Sequence, residues 1–215
     1  IAGKGTGTVF TPILRLGRAE LFHRAVPQSN DFTASAEFMM RVYLTTNRCE
    51  VVCLDVEGLG NGNDGPVIDE AKYLADKGQP PVELAPTDAD ILWRFNMIEE
   101  LGVFPHNITG GSVLIVGDKL YATTSNGVDW THTPIPNPKA PALVALDKNT
   151  GTYLGEEASG ISSRTLHGNW STPAHGAVSG KDVVYFGGGE GICYAFEGEP
   201  GPEQEGVRLL KEIWR

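Results

Sequence analysis

The chain has 215 residues, of which 40% are hydrophobic and 20% are charged, values typical of an ordinary globular protein. Its formal net charge of -10 disfavours nucleic acid and anionic membrane surfaces as partners, because both attract basic proteins. No apolar run approaches the roughly 20 residues that a membrane-spanning helix needs. The chain opens on Ile1 with neither an initiator Met nor a signal peptide, so we expect processing or truncation of a longer protein.

Short apolar runs separated by turn signals predict antiparallel strands along most of the chain. Gly-Asp at residues 117–118 and Asn-Thr-Gly at residues 149–151 are such signals. The predicted strands cover residues 8–14, 41–45, 50–54 and 91–95, then 111–116, 120–124, 143–146 and a strand after residue 151, then 171–178, 183–186, 192–196 and 209–214. Residues 17–40 do not match the pattern.

Three segments align on a tyrosine and indicate an internal repeat. Tyr43, Tyr121 and Tyr185 each precede a turn of small residues, and an acidic residue follows each of them. Asp55 and Glu197 follow at the same distance, whereas Asp147 comes after an insertion centred on residues 128–139. Trp93 and Trp214 lie in the last predicted strand of two copies.

Several short strands per repeat predict an all-β fold, a β-propeller of four-stranded antiparallel blades. The whole chain, residues 1–215, would form one partial propeller. Blade one covers about residues 8–95 with a long insertion at 56–90, blade two about 111–155 and blade three about 171–215. Since rings need about four to eight blades, we expect a part of about three to four blades, completed by the rest of a larger propeller or by another chain.

The run from Ala145 to Gly151, Ala-Leu-Asp-Lys-Asn-Thr-Gly, resembles the tryptophan-docking repeat of quinoprotein (pyrroloquinoline-quinone, PQQ-type) propellers. In this motif, which includes Thr150, we expect Asp147 to bond backbone N–H groups of the turn and Gly151 to supply a positive φ. In that family a tryptophan packs between blades, but Gly155 stands at its position here. Residues 41–215 are similar overall to the quinoprotein-like repeat proteins of planctomycete-type bacteria.

In such a blade, the loop between the second and third strands lies at the same end as the link to the next blade. Three segments, residues 96–110, 126–139 and 156–171, are therefore predicted to share one face. Loops on a rigid scaffold are common binding sites, and Trp with His and Asp can stack a flat ligand and bond its rim. We predict a ligand- or partner-binding face from these side chains: His106, Asn107, Asn126, Asp129, Trp130, His132, His167, Asn169 and Trp170. His175 is expected to join them. The alternative is that each Trp fills a gap between blades and each His bonds a loop carbonyl.

The insertion at residues 56–90 is acidic, with Asn61-Gly-Asn-Asp64-Gly and Asp69-Glu70. Oxygen ligands suit Ca²⁺, but the spacing fails the EF-hand loop, so a solvated acidic loop is favoured and no metal site is predicted. Three cysteines are too few for a disulfide scaffold, and we expect buried free thiols. Cys49 and Cys53 lie four residues apart on one strand, too far apart to pair.

The favoured hypothesis is a non-catalytic, extracytoplasmic (periplasmic or secreted) propeller that acts as a binding or scaffold module, with a protein partner or a small-molecule ligand. This hypothesis includes the case in which the chain is a subunit of a larger complex. The alternative implied by the resemblance is a PQQ- and Ca²⁺-dependent oxidoreductase of alcohols or sugars. Asp129 would then be the only candidate base and Asn126 a candidate Ca²⁺ ligand on that face; no other catalytic residue is predicted.

Overall fold

The computed structural model describes residues 49–55, 57–75, 78–106 and 111–215, together with the backbone of short strands between residues 8 and 48. It divides into two compact units. The first comprises Ile1–Met40 and Val52–Arg94, and the second comprises Arg41–Val51 and Phe95–Arg215.

The early part of the chain forms two small antiparallel sheets. Strand β1 (Thr8–Val9) pairs with β4 (Val26–Pro27), and β2 (Leu14–Leu16) pairs with β3 (Ala19–Leu21). The predicted strand at residues 8–14 is therefore wrong as the first strand of a four-stranded blade. Its two ends belong to different two-stranded sheets, neither of which includes the strands that follow.

The next sheet has three strands in the order β5, β6, β7. They are β5 (Met40–Thr45), β6 (Arg48–Asp55) and β7 (Asp90–Asn96), which confirms the strands predicted at residues 41–45, 50–54 and 91–95. The insertion between β6 and β7 includes a 3₁₀ turn (Gly58–Gly60) and the short helix α1 (Glu70–Tyr73). Trp93, in the middle of β7, is 3% exposed.

Helix α2 (Met97–Leu101) follows β7 directly because Asn96 caps it. The Asn96 Oδ1 accepts hydrogen bonds from the backbone N–H groups of Ile98 and Glu99, and Gly102 ends the helix with a φ of 65°. The helix leads into the link at residues 102–106, which contributes to the candidate site.

The second predicted blade is a meander of four antiparallel strands. They are β8 (Leu114–Val116), β9 (Lys119–Thr123), β10 (Leu143–Asp147) and β11 (Tyr153–Glu157). The turn after β10 follows the sequence prediction. The Asp147 Oδ1 accepts hydrogen bonds from the N–H groups of Asn149 and Thr150 and from the Thr150 hydroxyl, and Gly151 has a φ of 70°.

The third predicted blade is also a four-stranded antiparallel sheet, in the order β12, β13, β14, β17. These strands are β12 (Ala174–Val178), β13 (Lys181–Gly187), β14 (Cys193–Glu197) and β17 (Glu212–Trp214). The single strand predicted at residues 209–214 is wrong. Two strands share that segment, and only β17 belongs to this sheet.

The other strand leaves its own repeat and extends the preceding sheet. The hairpin of β15 (Glu203–Gln204) and β16 (Val207–Leu210) adds to β11, so that sheet has six strands in the order β15, β16, β11, β10, β9, β8. Strands β11 and β16 run parallel, with Glu156 opposite Leu209. The hairpin covers the backbone edge of β11, which would otherwise be free to pair with another chain.

This pairing requires a glycine at position 155 of β11. A Cβ atom on Gly155 would lie 2.5 Å from the Arg208 carbonyl oxygen, closer than real contacts allow. The close approach of β16 therefore excludes any larger side chain at this position.

Two of the three tyrosines that define the repeat, Tyr121 and Tyr185, occupy equivalent positions in their sheets. Tyr121 on β9 lies opposite Ala145, and Tyr185 on β13 lies opposite Ala195. Tyr43 is part of β5, but its side chain lies outside the described residues. Three acidic residues also match in position, since Asp55, Asp147 and Glu197 are the last residues of β6, β10 and β14.

The core of the second unit forms between the six-stranded and the four-stranded sheets. One sheet contributes Tyr121, Leu143 and Leu210, and the other contributes Phe186 and Phe196, each at most 2% exposed. Burying a side chain of this size stabilises the fold by roughly 1.5–3 kcal/mol. Trp214 does not join this core. It is 49% exposed, and its ring lies 5.9 Å from that of Tyr185.

The described chain is thus mostly β-sheet with a few short helices, which confirms the all-β class. Its sheets are open in the part of the chain that the structure describes. No helix among these residues is both long and apolar enough to cross a membrane.

Candidate metal centre

The three loop segments predicted to share a face do meet in the second unit. The Gly127 N–H donates to the Phe104 carbonyl at 2.9 Å, and the Val128 N–H donates to the His167 carbonyl at 2.9 Å. Isolated β-bridges pair Pro105 with Asn126 and Gly127 with Gly168. The middle segment is therefore bonded on one side to the link after α2 and on the other to the link after β11.

Gly127 allows this close approach. A Cβ atom there would lie 2.3 Å from the His167 carbonyl oxygen and 3.1 Å from the Cβ of His106. Both neighbours carry side chains of the candidate site. Any other residue at position 127 would separate the segments that bring those side chains together.

Two predicted binding residues have a positioning role instead. The side chain of Asn126 accepts from the Phe104 N–H and donates to the Asn137 carbonyl, both at 2.8 Å. The side chain of Asn169 donates to the Asn126 carbonyl at 2.8 Å and accepts from the Gly189 N–H at 2.9 Å. Both residues are fully buried, so they fix the loops from beneath.

Three histidines converge on this scaffold. His106, His132 and His167 each offer a ring nitrogen, and these nitrogens all lie within 4.8 Å of one another. The ring centroids are 4.6 Å apart for His106 and His132, 4.2 Å for His106 and His167, and 4.9 Å for His132 and His167. His106 is buried, His167 is half-buried and His132 is exposed, so the cluster opens to solvent on the side of His132.

His106 has one ring nitrogen bonded and one without a partner. Its Nδ1 lies 2.9 Å from the Val128 carbonyl oxygen, which can only accept, so Nδ1 carries the proton. The buried Nε2 then has a free lone pair, and no donor reaches it from the described residues. A backbone carbonyl that fixes the tautomer of a histidine in this way is the usual outer partner of a metal-binding imidazole.

The other two histidines are also suited to bind a metal ion. Burial, followed by the neighbouring His106 and His132, lowers the pKa of His167, which favours the neutral form that binds metals. His132 has a φ of 60°, and its N–H donates to the Asp129 carbonyl at 3.0 Å in a tight turn. This uncommon backbone conformation brings an exposed residue back to the cluster.

Asp129 shapes that turn. Its Oδ1 accepts hydrogen bonds from the hydroxyl and the N–H of Thr131, at 2.6 and 2.9 Å. The Thr131 hydroxyl is also the main reason why the pKa of Asp129 is lowered, and His132 adds to the effect. A carboxylate with a lowered pKa is a weak base, so these contacts do not suit Asp129 to proton abstraction.

Two indoles flank the histidines. The Trp130 ring lies 5.5 Å from that of His106, and the Trp170 ring lies 5.2 Å from that of His167. Trp130 is 55% exposed and Trp170 is 39% exposed, so both offer part of an aromatic face to solvent.

The sequence also predicted His175 and Asn107 on this face. His175 lies on β12, where its Nε2 is 2.7 Å from the Asp182 Oδ1, and it is not one of the three clustered histidines. Asn107 lies outside the described residues.

The sequence predicted the meeting of these loops but missed the convergence of three imidazole nitrogens. The three histidines are far apart in the chain and form no spaced motif. The only available signal was that all three fall in loops assigned to the same face.

No protein-family model matches this chain, and neither does any curated protein sequence. The resemblance to quinoprotein-like propellers therefore stays a prediction.

Proposed function

We propose that this chain is a non-catalytic binding module that holds a transition-metal ion, Zn²⁺ in the first place, at His106, His132 and His167. The observation that carries the proposal is the buried Nε2 of His106. An unpaired polar atom inside a protein costs about 1–3 kcal/mol, and a metal ion would remove that cost.

The donor set favours zinc over harder cations. Three neutral imidazoles suit Zn²⁺, Cu²⁺ and Ni²⁺, whereas Ca²⁺ and Mg²⁺ prefer oxygen ligands. Tetrahedral Zn–N bonds of about 2.0–2.1 Å place the nitrogens roughly 3.4 Å apart. Since no pair of these nitrogens is separated by more than 4.8 Å, small side-chain adjustments would bring the three into coordination, and the exposed His132 is the least constrained of them.

Three protein ligands leave one position of a tetrahedral ion open. A ligand or a partner side chain bound there would contact the exposed indoles of Trp130 and Trp170. The proposal therefore keeps the predicted binding face and assigns the metal ion as its centre.

The propeller belongs to the same proposal. Two successive four-stranded meanders, with Tyr121 and Tyr185 in equivalent pairs and a shared core, support stacked blades. We propose that the module is part of a larger propeller outside the cytoplasm. The quinone-dependent alternative has less support, because both polar ends of the Asn126 side chain are bonded to backbone groups.

Zinc binding tests the proposal. We expect the full chain, freed of metal with a chelator, to bind one Zn²⁺ in isothermal titration calorimetry and to develop visible absorption bands with Co²⁺. His132→Asn removes one ligand while keeping a residue that tolerates positive φ. It should weaken zinc binding by more than about 100-fold, beyond the loss expected for an outer partner alone.

His175→Asn is the matched control, because it removes an imidazole outside the cluster. It should keep the affinity of the parent chain. Absence of zinc binding in the parent chain, or an equal loss in the two variants, would overturn the proposal.

A further inference from the structure

A second group of potential metal ligands lies in the first unit, in the acidic insertion between β6 and β7. Asp55, at the end of β6, Asp64, in the loop, and Asp90, at the start of β7, each offer a carboxylate oxygen. These oxygens all lie within 4.8 Å of one another. Three negative charges at this distance repel one another unless a cation lies between them.

The loop is shaped so that Asp64 reaches the other two. The Asp64 N–H donates to the Asp90 Oδ2 at 3.1 Å. A Cβ atom on Gly65 would lie 2.6 Å from the Leu92 carbonyl oxygen, so only glycine lets the loop pack this closely on β7. Asp55 fixes the start of the loop, accepting from the Glu57 N–H at 2.7 Å and from the Asn61 side chain at 3.3 Å.

Asp90 supplies the observation that points to a ligand. Its side chain is fully buried and turned into the cluster, yet its Oδ1 has no hydrogen-bond donor among the described residues. A buried carboxylate needs a partner, because transfer of its charge out of water is costly.

Within the described ranges, no Lys, Arg or His forms an ion pair with these carboxylates. The ion pairs between described residues involve none of Asp55, Asp64, Asp90 or Glu70. Glu70, on α1, is fully buried, and its two oxygens accept from the Asn63 side chain at 2.8 Å and the Ile91 N–H at 3.4 Å. The local charge is therefore strongly negative on a well-bonded scaffold.

We propose that Asp55, Asp64 and Asp90 form a second cation site, one that binds Ca²⁺. All the donors are oxygens, which suit a hard cation. Two oxygens bound to one Ca²⁺ ion lie at most about 4.6–5.2 Å apart, so oxygens that all lie within 4.8 Å of one another can be ligands of the same ion. The exposed Asp64 leaves room for water molecules to complete the coordination. This site is separate from the histidine cluster and does not depend on the proposed function.

The test is thermal unfolding of the full chain, treated with a calcium chelator and then given Ca²⁺. Millimolar Ca²⁺ should raise the melting temperature by about 2–8 °C, more than equal Mg²⁺ does, and calorimetry should show one site. Asp64→Asn should weaken Ca²⁺ binding at least about tenfold, because it removes one of three charged ligands. Since Asp64 is exposed, this variant should fold and melt no lower than the parent chain without calcium.

Asp69→Asn is the matched control, because Asp69 is exposed in the same insertion, makes no side-chain cap bond and lies outside the cluster. It should keep the full Ca²⁺ response, and so should His132→Asn. The proposal fails if Ca²⁺ changes neither the melting temperature nor the heat of titration. It also fails if Asp69→Asn reduces the response as much as Asp64→Asn, since that would indicate only screening of a charged loop.

Discussion

At the scale of one residue, the backbone around His106 determines which of its ring nitrogens is available to a ligand. The Val128 carbonyl accepts a hydrogen bond from Nδ1–H, and this leaves Nε2 with a free lone pair beside two further imidazoles. The same carbonyl belongs to the segment that Gly127 brings against His167. The tautomer and the convergence of the three rings thus depend on one loop conformation.

The lowered pKa of His167 predicts how stability depends on pH. In the unfolded chain this histidine titrates near its usual 6.5, whereas in the metal-free folded protein it resists protonation to a lower pH. Its contribution to stability is therefore present above about pH 6.5 and is lost as the pH falls through the lowered pKa. We expect the melting temperature of the metal-free chain to fall more steeply below pH 6.5 than that of His167→Asn. Parallel curves for the two proteins would contradict this assignment.

Residue-scale predictions from sequence succeeded where the interaction is local. The hydrogen bonds of Asp147 and the positive φ of Gly151 follow from the turn itself. They failed where a distant contact decides. Asn126 and Asn169 are buried beneath the face, because each bonds a segment far away in the chain.

At the scale of elements, strand β16 is the main departure from the repeat. It lies in sequence between two strands of the last sheet, but it pairs in parallel with β11 of the preceding one. Apolar periodicity predicted that this segment is extended, and it could not indicate the partner. Parallel pairing of strands from different repeats is set by the packing of whole sheets.

Leucine substitutions test the contribution of β16. Leu210 is 2% exposed in the core between the sheets, whereas Leu166 is 78% exposed. Leu210→Ala should lower the free energy of unfolding by about 2–5 kcal/mol, because it leaves a cavity. Leu166→Ala should change it by less than about 0.5 kcal/mol. Equal effects in chemical denaturation would show that β16 does not contribute to the core as described.

At the scale of the whole molecule, the cysteines report on global unfolding. None of the three forms a disulfide, as predicted, but Cys193 is exposed and so corrects the expectation of buried thiols, whereas Cys49 and Cys53 are buried on β6. Burial, with a smaller effect of Asp55, raises the pKa of Cys53 to about 11, which further slows its reaction.

We expect a thiol reagent to modify one cysteine per native chain quickly and the other two only on unfolding. Cys49 and Cys53 should then react together, because one strand carries both. Cys193→Ser should abolish the fast phase. Fast modification of all three thiols in native conditions would show that β6 is not protected in solution.

The all-β class and most strands were predictable because the alternation of apolar runs and turns is a local signal. Closure into a ring is not local. Closure depends on the number of stacked sheets and on the chain that supplies them. The pattern of a single strand, such as Leu114–Val116 or Ala174–Val178, contains neither piece of information.

The hairpin of β15 and β16 belongs to the preceding sheet, and this limits where the chain can be cut and joined to a related one. The sequence repeat and the folding repeat are out of phase, since residues 203–210 complete the sheet that begins at Leu114. Duplicating or swapping a module at the sequence boundary near residue 171 would separate β11 from its covering hairpin. We therefore expect a recombined chain to fold only if β11 and the β15–β16 hairpin come from the same parent.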